Sequence, residues 1–392
     1  MPTPLRIALI YPKPARDIRT WSGTPYFMAR ALTKHLGTII DLSPTRVPDL
    51  PYRLLAKLTA LVTGRGVPYA HLRLYARHIG RDFTRRLREV DADVVIAPGG
   101  SESIAFLVTD RPVVYYSDAT WRVVHDYYAI YSNLLPVVRA SGEEIERRAI
   151  ERSRLLLYPS RWAADSAVRD YGADPHRVRV DYLGANLLDP PARDTEGQRS
   201  LDGTIRLLLI GVDWRIKGGD VALEVLKGLI ERGIDAELTV VGCTAPVGVA
   251  HPRLTVIPFL NKSIPEERHR FEAFLRDADF FILPSRFEAA GLVFCEASAY
   301  GLPILAARTG GIPSMVAEGR NGYTIPHDEE PEGYIEAILR LRTNPEEYRR
   351  LRMTAREEFE TRLNWDVWGE KVAAAVAELS PEFREKIEGY RE

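Results

Sequence analysis

The chain has 392 residues, 53 Lys and Arg against 54 Asp and Glu, and a formal net charge of -1. That length points to two domains, and 45 % hydrophobic with 27 % charged residues is ordinary globular composition, which excludes a disordered or collagen-like chain. Two cysteines, Cys243 and Cys295, exclude a disulfide scaffold and a cysteine-based zinc site, and fit a reducing compartment.

The N-terminus runs directly into a strand pattern, without the charged start and apolar run of a signal peptide. No uncharged apolar stretch reaches the roughly 18 residues that a membrane span requires. A cytoplasmic protein is expected. Short apolar, β-branched runs follow at Arg6–Tyr11, Thr38–Leu42, Asp93–Ala97, Pro112–Tyr116 and Leu155–Tyr158. A second series occupies Ile205–Gly211, Ala236–Gly242, Leu254–Ile257, Phe280–Leu283 and Pro303–Ala306. Amphipathic stretches such as Val221–Arg232 and Pro265–Arg276 lie between them. Strand–helix alternation predicts βαβ units and parallel sheets covered on both faces. Two series predict an α/β protein of two doubly wound, Rossmann-like domains.

The aperiodic stretch Asp189–Thr204, rich in Pro, Gly, Asp and Ser, predicts the junction. The expected organisation is a domain over 1–190, a linker over 191–204, a second domain over 205–364, and a helical segment over 365–392 packing back toward the first domain. Asp366 is the candidate N-cap of the last helix.

Charge is unevenly spread. Residues 1–190 carry 27 basic and 20 acidic side chains, and residues 45–90 alone carry ten and three. A single basic segment argues against a nucleic-acid binder, which shows a broader footprint. If Tyr69–Arg88 is helical, Leu72, Tyr75, Ile79, Phe83 and Leu87 form one apolar stripe, with Arg73, Arg77, Arg81, Arg85 and Arg88 beside it. Such a helix either packs on the core with a solvated arginine face, or lies on an anionic bilayer. The second reading predicts peripheral contact with the inner face of a membrane through 45–90.

No G-x-G-x-x-G follows a strand, and neither a P-loop nor an H-E-x-x-H sequence is present. A nicotinamide oxidoreductase and a P-loop enzyme are therefore disfavoured. The triplets Asp91-Ala92-Asp93 and Asp277-Ala278-Asp279 have metal–diphosphate spacing, but each immediately precedes a buried strand and is read as a polar turn. No metal and no cofactor are expected.

The densest signal is Leu283–Pro326. After the strand Phe280–Leu283, a small-residue turn leads into a helix starting near Ala290–Gly291. The N–H groups of Gly291, Leu292 and Val293 then lie in its first turn and form an anion site suited to a diphosphate. Gly291 lets a phosphate approach because it has no Cβ. Glu288 precedes the helix and Glu296 lies inside it. Carboxylates are poor phosphate ligands but good acceptors for sugar hydroxyls. A second loop, Val212–Gly219, follows the strand Ile205–Gly211 and carries the cations Arg215 and Lys217, able to stabilise negative charge where no metal site is evident. In the first half, Trp21-Ser22-Gly23-Thr24-Pro25 forms a glycine turn entering a helix. Ser117-Asp118-Ala119-Thr120-Trp121 follows the strand Pro112–Tyr116, with His125 nearby.

In these residues the chain resembles the retaining glycosyltransferases of family 4, which have the GT-B fold. The resemblance rests on the E-x7-E pair Glu288 and Glu296, on Gly301-Leu302-Pro303, on Gly310–Pro313 and on Asn321-Gly322. Weaker matches lie at Ser22–Leu32, Tyr158–Ala167, Tyr182–Leu187 and Ile210–Asp220. The resemblance implies two domains facing across a cleft, the second holding a nucleotide diphosphate-sugar and the first a glycan, lipid-linked or small-molecule acceptor. It implies that Glu288 holds donor-sugar hydroxyls, Glu296 the ribose diol, and Lys217 with Arg215 the diphosphate. Gly23 and Thr24 then face donor phosphate or acceptor. Asp118 stands where many relatives carry a histidine, so it either binds a sugar or acceptor hydroxyl or caps a helix, and Thr120 and His125 are further candidate sugar or acceptor contacts. The implied reaction is metal-independent transfer to an acceptor hydroxyl with retention of configuration. A GT-B nucleotide-sugar epimerase and a non-catalytic nucleotide-sugar-binding subunit are the alternatives.

Overall fold

The computed structural model describes residues 4–193 and 199–391. Within the expected linker, residues 194–198 lie outside the described residues. The chain divides into two compact units, Met1–Asp181 with Trp368–Glu392, and Tyr182–Val367. The opening segment of the first unit thus ends at Asp181, ahead of the Pro-rich stretch, and its closing segment begins at Trp368.

The sheet of the first unit contains β1 (Leu5–Leu9), β2 (Gly37–Asp41), β3 (Val94–Pro98), β4 (Val113–Tyr116), β5 (Leu155–Tyr158) and β6 (Val178–Val180), in the order β2-β1-β3-β4-β5-β6. The second sheet contains β7 (Ile205–Ile210), β8 (Ala236–Val241), β9 (Leu254–Ile257), β10 (Phe280–Leu283), β11 (Ile304–Ala307) and β12 (Gly322–Ile325), in the order β12-β11-β10-β7-β8-β9. Every strand pairing among the described residues is parallel. The expected doubly wound architecture is therefore present in each unit. Sequence patterning missed only the two edge strands β6 and β12. The first is three half-buried residues around Arg179, and the second opens on Gly322, where a Cβ would fall 2.1 Å from the Ile304 carbonyl oxygen.

The helix Arg73–Arg88 packs its apolar stripe inward. Tyr75, Ile79, Phe83 and Leu87 share one core with Val95, Tyr115, Leu156 and Tyr158 of the sheet. Its first expected turn is instead a separate 3-10 turn, Tyr69–His71. The apolar stripe is thus unavailable to a bilayer, and Arg73, Arg77, Arg81, Arg85 and Arg88 form the exposed face of a core-packed helix.

The C-terminal helices Trp365–Ala377 and Pro381–Arg391 close the chain. The cap of the former is Asn364, not Asp366: the Asn364 Oδ1 accepts from the Val367 N–H at 2.9 Å, while Asp366 sits in the first turn. Trp368 is buried against Tyr116 with ring centroids 6.3 Å apart. Lys386 reaches Asp93 at 3.0 Å and the Tyr390 hydroxyl donates to the Thr33 carbonyl at 2.7 Å.

Both Asp-x-Asp triplets lie at the amino ends of strands, and the carboxylates of Asp91, Asp93 and Asp279 are taken by cations. Asp91 and Asp93 pair with Arg6. Asp279 accepts from the Arg206 N–H at 2.9 Å and pairs with Arg199.

Candidate active site

β7 and β10 are neighbours at the centre of the second sheet, and the chain leaves them in opposite directions, toward β8 and β9 on one side and β11 and β12 on the other. Such a reversal opens a crevice at the carboxyl ends of the two strands. The loops leaving these ends are 211–218 and 284–291, the two segments singled out by their sequence.

The loops are fitted to each other at backbone level. Gly218 has φ +73, and a Cβ on it would fall 2.0 Å from the Pro284 carbonyl oxygen. Only glycine permits both the left-handed turn and that approach. The Arg286 N–H donates to the Ile216 carbonyl at 2.9 Å. Asp213 folds the first loop on itself, its carboxylate accepting from the Ile216 N–H at 2.7 Å and its carbonyl from the Lys217 N–H at 3.0 Å. Glu288 is anchored in turn because its carbonyl accepts from the Gly311 N–H at 3.1 Å.

The result is an ion pair. Lys217 Nζ lies 2.6 Å from Glu288 Oε2, with the two side chains 19 % and 11 % exposed. Beside it, Gly291 takes a left-handed φ of +77 and caps the helix Leu292–Ala299 without a side-chain bond. The first-turn N–H groups of Leu292 and Val293 have no carbonyl one turn back within the helix, and Gly291, Leu292 and Val293 are all half-exposed. Glu296, inside this helix, is buried and receives a 2.6 Å bond from Lys262, whose ammonium also sits 4.9 Å from the centre of the Phe271 ring. Arg215 is exposed and makes no ion pair among the described residues. Its carbonyl accepts from Arg286, which also grips Asp220 through two bonds of 3.0 and 2.6 Å. Burial pushes the Asp220 carboxyl up, but Arg286 overrides it and holds the group below the usual carboxylate range. Lys262 and Arg286 were not evident from the sequence. Lys262 lies outside every recognisable pattern, whereas Arg286 stands two residues before Glu288.

The first unit has its own reversal between β1 and β3. Trp21, Ser22 and Gly23 take φ values of +45, +56 and +89, and Thr24 begins the helix Thr24–His35 with Pro25 second. Trp21 stacks on Tyr11 at 6.3 Å, and a Cβ on Gly99, just past β3, would meet the Trp21 ring at 2.9 Å. Gly23 and Thr24 are both buried. Asp118 is half-exposed after β4. Thr120 is fully buried, its hydroxyl 2.6 Å from that of Ser166, which bonds onward to Asp170 at 2.7 Å. Its hydrogen-bonding capacity is directed into the unit. His125 pairs with Asp126 at 2.9 Å and lines a surface pocket with Trp121, Arg122 and Glu143.

Two buried carboxyl groups of this unit escaped sequence reasoning. Loss of solvent pushes Glu102, just past β3, up to about 7, and Glu146 up to about 8. Tyr115 bonds Glu146 at 3.4 Å. Among the described residues, no three His, Cys, Asp or Glu side chains gather as a metal site.

A family model described as Glycosyltransferase Family 4 matches residues 26–187, and one described as Glycosyl transferases group 1 matches residues 204–344. Together they span more than three quarters of the chain. The chain belongs to the family 4 glycosyltransferases, with the two-domain GT-B fold. A D-inositol 3-phosphate glycosyltransferase of Streptomyces bingchenggensis is 31 % identical over 277 residues, covering 65 % of this chain and 57 % of that relative. D-inositol 3-phosphate glycosyltransferase 2 of Catenulispora acidiphila is 29 % identical over 264 residues, covering 62 % and 61 %. The chain spans about three fifths of the length of these curated relatives. Sucrose-phosphate synthase of Thermosynechococcus elongatus superposes with a TM-score of 0.66 at 17 % identity, over 96 % of this chain and 99 % of that one. Anabaena Alr3699/HepE, solved in complex with UDP-glucose, superposes with a TM-score of 0.61 at 13 % identity, over 95 % and 100 %. At these identities the likeness is one of fold.

Proposed function

We propose that the protein transfers a sugar from a nucleotide diphosphate-sugar to an acceptor hydroxyl, with retention of configuration and without a metal ion. The carrying observation is the Lys217–Glu288 pair at the carboxyl ends of β7 and β10, beside the start of the Leu292–Ala299 helix. In this reading the diphosphate takes the N–H groups of Leu292 and Val293 together with Lys217 and Arg215. Lys217 exchanges Glu288 for phosphate, which frees the carboxylate to accept from donor-sugar hydroxyls. Charge that develops on the departing diphosphate meets fixed cations. A phosphate oxygen of the leaving group takes the proton of the attacking hydroxyl on the same face, so no side chain need act as a nucleophile. Glu296 serves the ribose diol. The acceptor, whether glycan, lipid-linked or small molecule, is assigned to the first unit, with the half-exposed Asp118 as its contact, whereas Gly23 and Thr24 are buried there. The kinship with D-inositol 3-phosphate glycosyltransferases and the likeness to a protein solved with UDP-glucose support a nucleotide-sugar donor.

The test is incubation of the full chain with UDP-, GDP- and ADP-sugars and an acceptor panel. Nuclear magnetic resonance of the product reads the anomeric configuration. A product with the donor's configuration, formed equally with Mg²⁺ and with chelator, is expected. Inversion, or strict dependence on metal, overturns the mechanism.

A further inference from the structure

The helix Leu50–Thr63 is mounted inside out. Of its 14 residues only Ala56 is buried. Leu50, Leu54, Leu55, Leu58, Leu61 and Val62 are each more than half exposed, the last two by over four fifths. At about 100° per residue these six fall within one arc of about 140°. Tyr52 and Ala56 lie outside that arc and hold the helix to the first unit. Tyr52 packs on the core and its hydroxyl bonds His78. A surface helix ordinarily turns its apolar arc inward. Isolated exposed leucines need no explanation, whereas a contiguous row marks a surface that something covers.

Its surroundings favour lipid. From Leu50 to Arg81 the chain carries six basic residues, Arg53, Lys57, Arg65, Arg73, Arg77 and Arg81, all exposed, and no acid. Arg53 and Lys57 border the apolar arc on one side. Arg53 has only a loose pair with Asp49 at 3.8 Å, and Lys57 and Arg65 make no ion pair among the described residues. Protein interfaces favour aromatic anchors and are depleted in lysine, and this arc is wholly aliphatic with Arg53 and Lys57 on its rim. The hydroxyls of Thr59 and Thr63 turn back onto the Leu55 and Thr59 carbonyls at 2.8 and 2.7 Å, so neither brings an unpaired donor into an apolar phase. A helix of 14 residues is about 21 Å long, short of a hydrocarbon core of about 30 Å. It fits in the plane of an interface rather than across it. No described helix is long and apolar enough to cross a membrane.

We propose that the Leu50–Thr63 helix docks the protein on an anionic lipid bilayer, with its leucine arc at the headgroup–acyl boundary and Arg53, Lys57 and Arg65 on acidic headgroups. The inference is independent of the donor chemistry, so either can fail without the other. It transfers the membrane-facing role within 45–90 from the core-packed Arg73–Arg88 helix to the helix before it.

The test sediments the full chain with vesicles of phosphatidylcholine, alone or mixed with phosphatidylglycerol, at low and high salt. Sedimentation velocity without lipid reads the oligomeric state. Wild type is expected to pellet with the mixed vesicles and to bind the neutral ones at least about tenfold more weakly. Lys57→Gln/Arg65→Gln should lower binding by about tenfold or more. Leu58→Glu/Leu61→Glu should abolish it at unchanged melting temperature, because neither side chain is in the core. Equal binding to both vesicle types, no binding to either, or wild-type binding by the leucine variant overturns the proposal. So does a dimer that the leucine variant dissolves, which would make a second copy the occupant.

Discussion

Lys217 and Glu288 are 71 residues apart in the chain, yet their charged atoms lie 2.6 Å apart because the loops after β7 and β10 interlock at the centre of the second sheet. Each side chain is mostly withdrawn from water. In the free protein each therefore supplies the other's counter-charge. Under the proposed function, a diphosphate that claims the lysine also releases the carboxylate, so one binding event readies both groups.

This coupling predicts a kinetic split. In the proposed reaction Lys217→Ala removes a cation assigned to the departing diphosphate and should lower kcat by on the order of a hundredfold or more. Glu288→Gln keeps the shape but weakens the grip on sugar hydroxyls. It should lower transfer strongly while leaving the affinity for free nucleoside diphosphate within a few-fold. Steady-state kinetics paired with calorimetric binding read both. Wild-type turnover in either variant contradicts the assignment.

Gly218→Ala should be costly for two reasons. Its φ of +73 disfavours any Cβ, and that Cβ would lie 2.0 Å from the Pro284 carbonyl oxygen. A loss of at least about 2 kcal/mol is expected from left-handed strain and overpacking together, confined to the second unit. Denaturant unfolding checks it. A neutral outcome would mean that the loops after β7 and β10 do not touch as described.

The loop partnership is where sequence reading stopped. Apolar runs mark ten of the twelve strands among the described residues, because buried parallel strands are short and continuously apolar, as in Asp93–Ala97 and Phe280–Leu283. Glu288, Glu296 and Lys217 stand out in the sequence through the family motifs around Gly291 and Gly218, and the structure joins Glu288 and Lys217 in one ion pair. Lys262 and Arg286 were not, since their roles arise from contacts across 34 and 66 residues. The Arg73–Arg88 helix was correctly amphipathic, but periodicity alone does not say whether an apolar stripe meets a sheet or a bilayer. Asp366 was mistaken for a cap because Asn364, two residues earlier, satisfies the same rule.

Glu146 predicts a pH-dependent stability. Its folded value of about 8 stands well above the ordinary carboxylate value of about 4.3, chiefly because burial removes its solvation. Between those values the folded state holds a proton that the unfolded chain has lost, so stability falls as pH rises through the window. Glu102, raised to about 7, acts in the same direction. Glu146→Gln should therefore raise the melting temperature at pH 8 and change it little at pH 5. An equal shift at both would contradict the burial account.

Asp93 predicts the opposite trend. Burial alone would raise its pKa, but Arg6 and Lys386 override it and hold it at about 2. Stability from this group is present above about pH 4 and is lost as pH falls toward 2. Asp93→Asn should cost about 1–3 kcal/mol at pH 7, from lost charge-assisted bonds, with the gap narrowing below pH 4. Lys386→Ala should loosen the Pro381–Arg391 helix, read as faster amide exchange there. A gap that does not vary with pH, or unchanged exchange, would contradict it.

The most direct test is thermal unfolding of the full chain with UDP, GDP or ADP, each in Mg²⁺ and in chelator, for wild type and Lys217→Ala. A ligand at about 100 times its dissociation constant adds about 2.7 kcal/mol to the state that binds it. One nucleoside diphosphate should raise a single transition, equally with metal and with chelator, and the rise should vanish in Lys217→Ala. A rise that requires Mg²⁺, a rise that survives loss of Lys217, or no rise with any of the three would contradict a cationic donor site at the β7–β10 crevice.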